Sequence, residues 1–404
     1  MKALENLLGK MRTPFEKGGK LEKYWPVFDA LDTFAFVPNH TTKSGAHIRD
    51  GIDMKRTMFL VIVALIPALM FGTYNLGLQH FQAGGLESTF FDNVFFGLGK
   101  VLPLIIISYG VGLGVEFVFC IIKGHAINEG FLVSGMLIPL ILPVDMPLWM
   151  VAVATAFSVV FVKEVFGGTG MNILNVALTA RAFLFFAYPT EMSGNKVWVS
   201  TDGLASTVDG YTGETLLSQA IEKGTAFHDV AGNMYGSVAD SFMASFLGNI
   251  PGSIGETSTL AILIGAAILI ITNVASWRII VTGIIGGAAM GLIFNMVGPQ
   301  ISPENLYLQV PWWHQLVMGG FMFGIVFMAT DPVTATQTQK GKYIYGFLIG
   351  MLAMLIRVVN PAYPEGIMMA ILFMNVMAPT IDHYVVQANV NRRLKRLKTA
   401  SYGN

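Results

Sequence analysis

Six ionisable side chains lie inside or beside long apolar runs of this sequence: Glu116, Glu129, Glu164, Arg181, Asp331 and Asp382. At membrane depth an ionised group costs about 2.5 to 3.5 kcal/mol to insert, so each calls for a partner or a ligand. Glu164 follows Lys163 and reads as a local ion pair at a membrane boundary, while Arg181 either snorkels or pairs with one of these carboxylates. Asp331 precedes Pro332, where a helix breaks and frees backbone carbonyls. Such oxygen-rich surroundings suit a hard cation such as sodium, with Glu129 and Asp382 as access or relay groups. The plainer alternative for Asp331 is a helix stop.

Two glycine-rich stretches carry further polar groups. Phe166-Gly-Gly-Thr-Gly-Met-Asn172, with Asn175 just beyond, is weak as a phosphate loop because no strand precedes it and no Walker lysine follows. Its glycines permit a tight re-entrant turn, and Asn172 and Asn175 supply amides suited to a neutral heteroaromatic ring. Close helix packing explains the glycines equally well. The other stretch, Asp209-Gly-Tyr-Thr-Gly-Glu-Thr215, runs into Leu-Leu-Ser-Gln-Ala-Ile-Glu-Lys before Gly224. This predicts a short helix with Thr212 or its neighbour as N-cap, Thr215 in the first turn and Gly224 as the stop. A threonine there usually caps, but a phosphate ester on its hydroxyl would also meet the positive end of the helix dipole.

The elements that must position these groups follow from composition. Of 404 residues, 53% are hydrophobic and only 12% charged, against about 25% charged in soluble domains. That excludes an ordinary soluble enzyme and predicts an all-α integral membrane protein embedded in lipid. Balanced charge, 25 basic against 25 acidic residues, argues against nucleic acid as a partner. The single cysteine, Cys120, excludes a disulfide framework and a thiolate metal cluster.

About ten spans are expected, near 58 to 79, 101 to 122, 127 to 143, 147 to 165, 171 to 188, 257 to 275, 278 to 297, 312 to 330, 343 to 359 and 364 to 385. The third and eighth run into Pro-containing breaks and are expected to be discontinuous helices. An even count with basic tails at residues 1–56 and 387–404 places both termini in the cytoplasm. Lys123, Lys163, Arg278, Lys340 and Lys342 fall on inner turns; Lys100 and Arg357 are exceptions near outer ends. The segment from about 188 to 255, with seven acidic and two basic residues, should face outward.

Five spans on each side (57–188 and 257–386) of an external loop (189–256) suggest a 5+5 inverted repeat, since an odd number per half inserts the halves with opposite orientation. Gly-Phe-Leu-Val-Ser-Gly at 130–135 and Gly-Gly-Phe-Met-Phe-Gly at 319–324 are weak marks of it.

Together these motifs, with the Asn128-Glu129-Gly130-Phe131 turn and Thr330-Asp331-Pro332-Val333-Thr334, resemble the B-subunit family of sodium-translocating NADH:quinone oxidoreductases, which is related to the RnfD proteins of Rnf complexes. The resemblance covers nearly the whole chain. It implies flavin mononucleotide (FMN) bound through a phosphoester to Thr215, which closes the segment Thr212-Gly213-Glu214-Thr215, with Asp209, Gly210, Thr212 and Gly213 around it. Glu214 departs from the small residue usual in the family and puts a negative charge beside the ester.

The resemblance further implies riboflavin within the membrane, for which Asn172 and Asn175 are candidates, and electron flow from FMN through riboflavin to ubiquinone, coupled to sodium export across a bacterial inner membrane. It implies partner subunits A, C, D, E and F, which would hold the NADH and iron–sulfur chemistry. Gly124, His125, Glu129 and Gly130, facing the cytoplasm beside apolar helices, are candidates for the quinone site; a structural turn with a snorkelling Glu129 explains them equally. The 5+5 arrangement also resembles urea channels, so a passive solute channel is the rival, and an Rnf-type membrane subunit is a nearer alternative. A channel needs no threonine for flavin attachment.

Overall fold

In an apolar environment a backbone must satisfy its own hydrogen bonds, and every regular element among the described residues is accordingly a helix. The computed structural model describes residues 8–16, 18–36, 44–46, 54–124, 130–192, 198–203, 213–218, 235–302, 305–360 and 366–401. Asp209, Gly210, Thr212, His125 and Glu129 lie outside them. The amphipathic α1 (Trp25–Ala35) precedes two long helices, α2 (Met54–Ala83) and α3 (Phe90–Lys123). Thr89 and Asp92 open α3 with a reciprocal capping box, and Gly124 closes it at φ +68°.

The expected third span is a half-helix, α4 (Phe131–Leu140), followed by unwound chain to Pro147 and then α5 (Leu148–Ser158), which continues as a π-helical turn over Val159–Glu164. Next comes α6 (Val176–Ala187), begun by Asn175, whose Oδ1 accepts the Leu178 N–H at 3.1 Å. The glycine loop therefore does not start the helix itself: Gly167, Gly168 and Gly170 all adopt left-handed backbone and the helix waits for the Asn175 cap.

Beyond the long loop stand α7 (Val238–Leu247), α8 (Thr259–Ile271) and α9 (Trp277–Ile301). The expected eighth span is broken twice. The short α10 (Trp312–Val317) ends at Met318, Gly319 and Gly320 turn at φ +64° and +67°, and α11 (Phe321–Phe323) runs on as a π-helical turn, Gly324–Met328, before Asp331. The chain closes with α12 (Gln339–Val359) and α13 (Ile367–Ser401).

Five helices, Lys55–Ala83, Phe90–Lys123, Trp277–Gly298, Gln339–Val359 and Ile367–Leu397, are long and apolar enough to cross a membrane. Four shorter apolar helices, α4, α6, α7 and α8, lie among them. Sequence patterning did not foretell α7. Its signals are local: Ser237 accepts the Asp240 N–H at 3.1 Å to start it, and Gly248 at φ +107° ends it.

Packing relies on glycine at the crossings. The two chain regions meet where α8 lies against α2 and α6 against α13. A Cβ on Gly265 of α8 would stand 2.3 Å from the Ala64 carbonyl oxygen of α2. On the α9–α12 seam, a Cβ on Gly350 would stand 2.0 Å from the Gly283 carbonyl oxygen. Because that neighbour is backbone it cannot swing away. Gly350→Val should therefore force α9 and α12 apart at a cost of about 1–3 kcal/mol, read as a lower thermal midpoint in detergent. Gly110→Ala, whose Cβ would meet nothing within 4 Å, should leave the midpoint unchanged or slightly raised.

Candidate functional site

Thr215 precedes and caps the helical turn Leu216–Ser218: its Oγ1 accepts the Ser218 N–H at 3.2 Å. It is thus the cap itself rather than a first-turn residue. Of the two described residues before it, Gly213 has no side chain and Glu214 is buried. Gly213 packs on Val199, where a Cβ would come within 3.0 Å.

Thr215 lines a cavity of about 80 Å³ together with Leu217, Trp198, Glu256, Gly319 and Gly320. The glycine pair matters here. A Cβ on Gly320 would lie 2.6 Å from the Glu256 carboxylate, and one on Gly319 would lie 2.9 Å from Arg357 Nη2. This unwound, side-chain-free segment forms that side of the cavity.

Two buried charges frame the cavity. Arg181 Nη1 donates to Glu256 Oε1 at 2.9 Å, so Arg181 pairs with a carboxylate outside the group expected for it. Glu256 was missed because it closes an acidic loop and looks solvated by its neighbours in sequence. Arg357, in the last turn of α12, is fully buried, and its guanidinium donates to the carbonyls of Gln315 (2.6 Å), Met318 (3.1 Å) and Gly319 (3.2 Å). It thereby satisfies the carbonyl end of α10 where the helix stops.

A second cavity, also about 80 Å³, gathers residues that the sequence scattered. Asn172, Asn175, Asp331, Gly130, Lys163 and Thr169 line it. Asn175 Nδ2 donates to Asp331 Oδ2 at 3.4 Å, tying α6 to the break after α11. Asp331 also accepts the Val333 N–H at 3.0 Å and the Thr334 hydroxyl at 3.2 Å, so it terminates the helix and faces the cavity at once. Gly130 belongs here too, because a Cβ on it would meet the Thr169 side chain at 2.4 Å. Gly124 stands apart: open space surrounds the position of its missing Cβ. Asn172 Nδ2 donates to the Leu174 carbonyl at 3.1 Å, so both asparagine amides at this wall also hold the local backbone or a neighbouring side chain.

Beside this cavity the charges pair across helices. Lys163 bonds Glu116 of α3, both buried, whereas Glu164 takes Lys123, whose Nζ donates to the Glu164 carbonyl at 2.9 Å. The expected Lys163–Glu164 pair does not form, because consecutive residues of a helical turn point about 100° apart. Asp382 lies away from Asp331. Its carboxylate accepts the N–H groups of Gln337 (2.7 Å) and Thr338 (3.0 Å) and the Thr338 hydroxyl, holding the start of α12.

A bundle with long apolar helices, interrupted apolar segments and internal cavities defines a multi-pass membrane protein whose cavities open where helices unwind. The model of the NQR2, RnfD, RnfE family matches residues 41–391, and the chain belongs to that family. It is 47% identical over 414 residues to the B-subunit of the Na(+)-translocating NADH-quinone reductase of Chromohalobacter salexigens, covering 97% of this chain and 96% of that protein. The protein of the same description from Pseudomonas paraeruginosa is 47% identical over 416 residues, covering 97% and 99%. That from Klebsiella pneumoniae is 46% identical over 428 residues, with the same shares.

The Arg181–Glu256 pair makes a direct prediction. Glu256→Leu leaves a buried guanidinium without its carboxylate and should cost about 3–5 kcal/mol, seen as a depressed thermal midpoint. Adding Arg181→Met should restore most of the loss.

Proposed function

We propose that this chain is the membrane-embedded B-subunit of a sodium-translocating NADH:ubiquinone oxidoreductase, working with subunits A, C, D, E and F. The family membership and the near full-length relatives named for that reductase support this reading. In it the chain lies in the bacterial inner membrane with both termini (1–56 and 387–404) cytoplasmic and the 189–256 segment periplasmic. Ten spans form a 5+5 inverted repeat of halves 57–188 and 257–386. The local likeness of Gly130-Phe131 and Gly320-Phe321, each opening a short helix that soon unwinds, favours the repeat.

The finer reading attaches FMN to Thr215 by a phosphoester, seats riboflavin against Asn172 and Asn175, brings ubiquinone to the Gly124–Gly130 turn with His125 and Glu129, and assigns sodium to Asp331, with Glu129 and Asp382 as relay groups. When bound, the flavins supply one- and two-electron redox chemistry. The chain's own residues position and shield. Thr215 offers a hydroxyl at the start of a helical turn, Gly319 and Gly320 leave room for a ring, and Arg181 holds the Glu256 carboxylate in place. Asp331, fixed by Asn175, Val333 and Thr334, keeps a carboxylate in the other cavity.

The observation that carries the proposal is the placement of Thr215: its Oγ1 caps a turn at the wall of a cavity that glycines keep open. Thr215→Ala should abolish the yellow-green fluorescence of the denatured chain on a gel and the flavin-phosphate mass on the Thr215 peptide. Thr215→Ser should retain both. Covalent flavin at full occupancy in the alanine variant overturns the assignment.

A second prediction concerns the other cavity. Asp331→Asn should raise the sodium concentration for half-maximal quinone reduction by about tenfold, ~1.4 kcal/mol, while covalent flavin on the chain stays unchanged. An unaltered sodium dependence would reduce Asp331 to a helix stop.

A further inference from the structure

Behind the Thr215 cavity lies a third, much smaller one, and we infer that it is a transit site for a single dehydrated monovalent cation of sodium's size. This rests on the reading of the chain as part of a sodium pump. The cavity measures about 10 Å³, the space of one water-sized sphere, and is lined by Asn75 and Gln79 of α2, Val144 of the unwound stretch after α4, and Ser253, Ile254 and Thr257 of the loop before α8. Ser253 and Thr257, only 1% and 4% exposed, have hydroxyls with no hydrogen-bond partner among the described residues. Two such hydroxyls facing one small space offer their hydrogen-bonding capacity to a small polar occupant.

The chemistry of the lining selects a cation. Asn75 Nδ2 donates to the Ile250 carbonyl at 2.9 Å, and Gln79 Nε2 donates to Asn75 Oδ1 at 3.4 Å. Each amide thus directs one N–H at a protein oxygen, and the Ser253 and Thr257 hydroxyls add oxygens to the lining. The carbonyl end of α4 adds to this. Its Leu140 oxygen accepts the Gly255 N–H at 2.8 Å, so the negative end of that ten-residue helix abuts the loop that forms the cavity wall.

Size and charge then narrow the ion. Gly72 brings α2 so close to the loop that a Cβ would stand 1.7 Å from the Ile254 carbonyl oxygen, which keeps the space too small for a hydrated ion. Among the described residues no carboxylate lines the cavity, and neutral oxygens hold a monovalent ion loosely enough to release it. Trp198, Gly252, Ser253 and Thr257 line this cavity and the Thr215 cavity alike, so a cation here lies within electrostatic reach of a charge carried at Thr215.

The test uses the assembled complex and two readouts: the sodium concentration for half-maximal quinone reduction, and equilibrium binding of radioactive sodium. Thr257→Val, which keeps shape and removes the hydroxyl, should raise the half-maximal concentration about tenfold and lower the bound sodium. Thr257→Ser should restore both, and Gln79→Glu, which adds charge to the lining, should tighten binding and slow release. If Thr257→Val disrupts assembly, Gln79→Glu alone decides. Unchanged sodium binding and dependence in every variant that assembles would mean that the cavity holds a structural water only, and the inference falls. A wild-type complex whose quinone reduction ignores sodium would instead overturn the reading of the chain as part of a pump, and this site with it.

Discussion

Unwound backbone inside an apolar bundle must find hydrogen-bond partners within the protein, because lipid offers none. The rest of the structure follows from how this chain meets that demand at its broken segments. The Gly255 N–H reaches the Leu140 carbonyl, Asn75 reaches the Ile250 carbonyl, and Arg357 gathers three carbonyls at the end of α10. Asn295 serves the approach to α10 by donating to the Leu308 and Val310 carbonyls and accepting the Trp312 N–H. Asp331 and Asp382 do the same at the entrance to α12. Side chains replace the missing helical bonds, and the cavities open where they do so.

This explains how polar and charged residues survive in membrane-like surroundings. Asp382 has its acceptors occupied by two backbone N–H groups and a hydroxyl, and the Arg357 guanidinium by three carbonyls. Asp331 differs: its partners stabilise the carboxylate while one face remains on the cavity. Lys163 and Glu116 neutralise each other across α3 and the π-helical turn, so the cavity gains polarity there without a lone charge.

The sequence made the helical membrane class legible, along with the break near Pro139 to Pro147, and it singled out Thr215, Asn175 and Asp331, which line cavities. It did so through signals that act locally: apolar length and proline. What escaped depends on distance in space. Glu256 meets Arg181 across 75 positions, and Lys163 meets Glu116 across 47, so neither pairing has a local trace. The earlier break of the eighth span rests on Gly319 and Gly320 at positive φ; in sequence the same pair suggested only a repeat. Asn75 and Gln79 drew no notice because uncharged amides are tolerated along a helix.

The three cavities share one architectural cause. Each is bounded by a segment that stops being helical, and each has on its rim a glycine placed where a Cβ would strike another group: Gly320 against Glu256, Gly130 against Thr169, Gly72 against the Ile254 carbonyl. Glycine at these points brings neighbouring chain close, while the unwound stretch beside it leaves a gap that its own polar atoms must line. Close approach and open space are thus produced by the same few residues. A larger side chain at any of the three would both separate the elements and fill the gap, so packing and ligand chemistry cannot be tuned independently in this bundle.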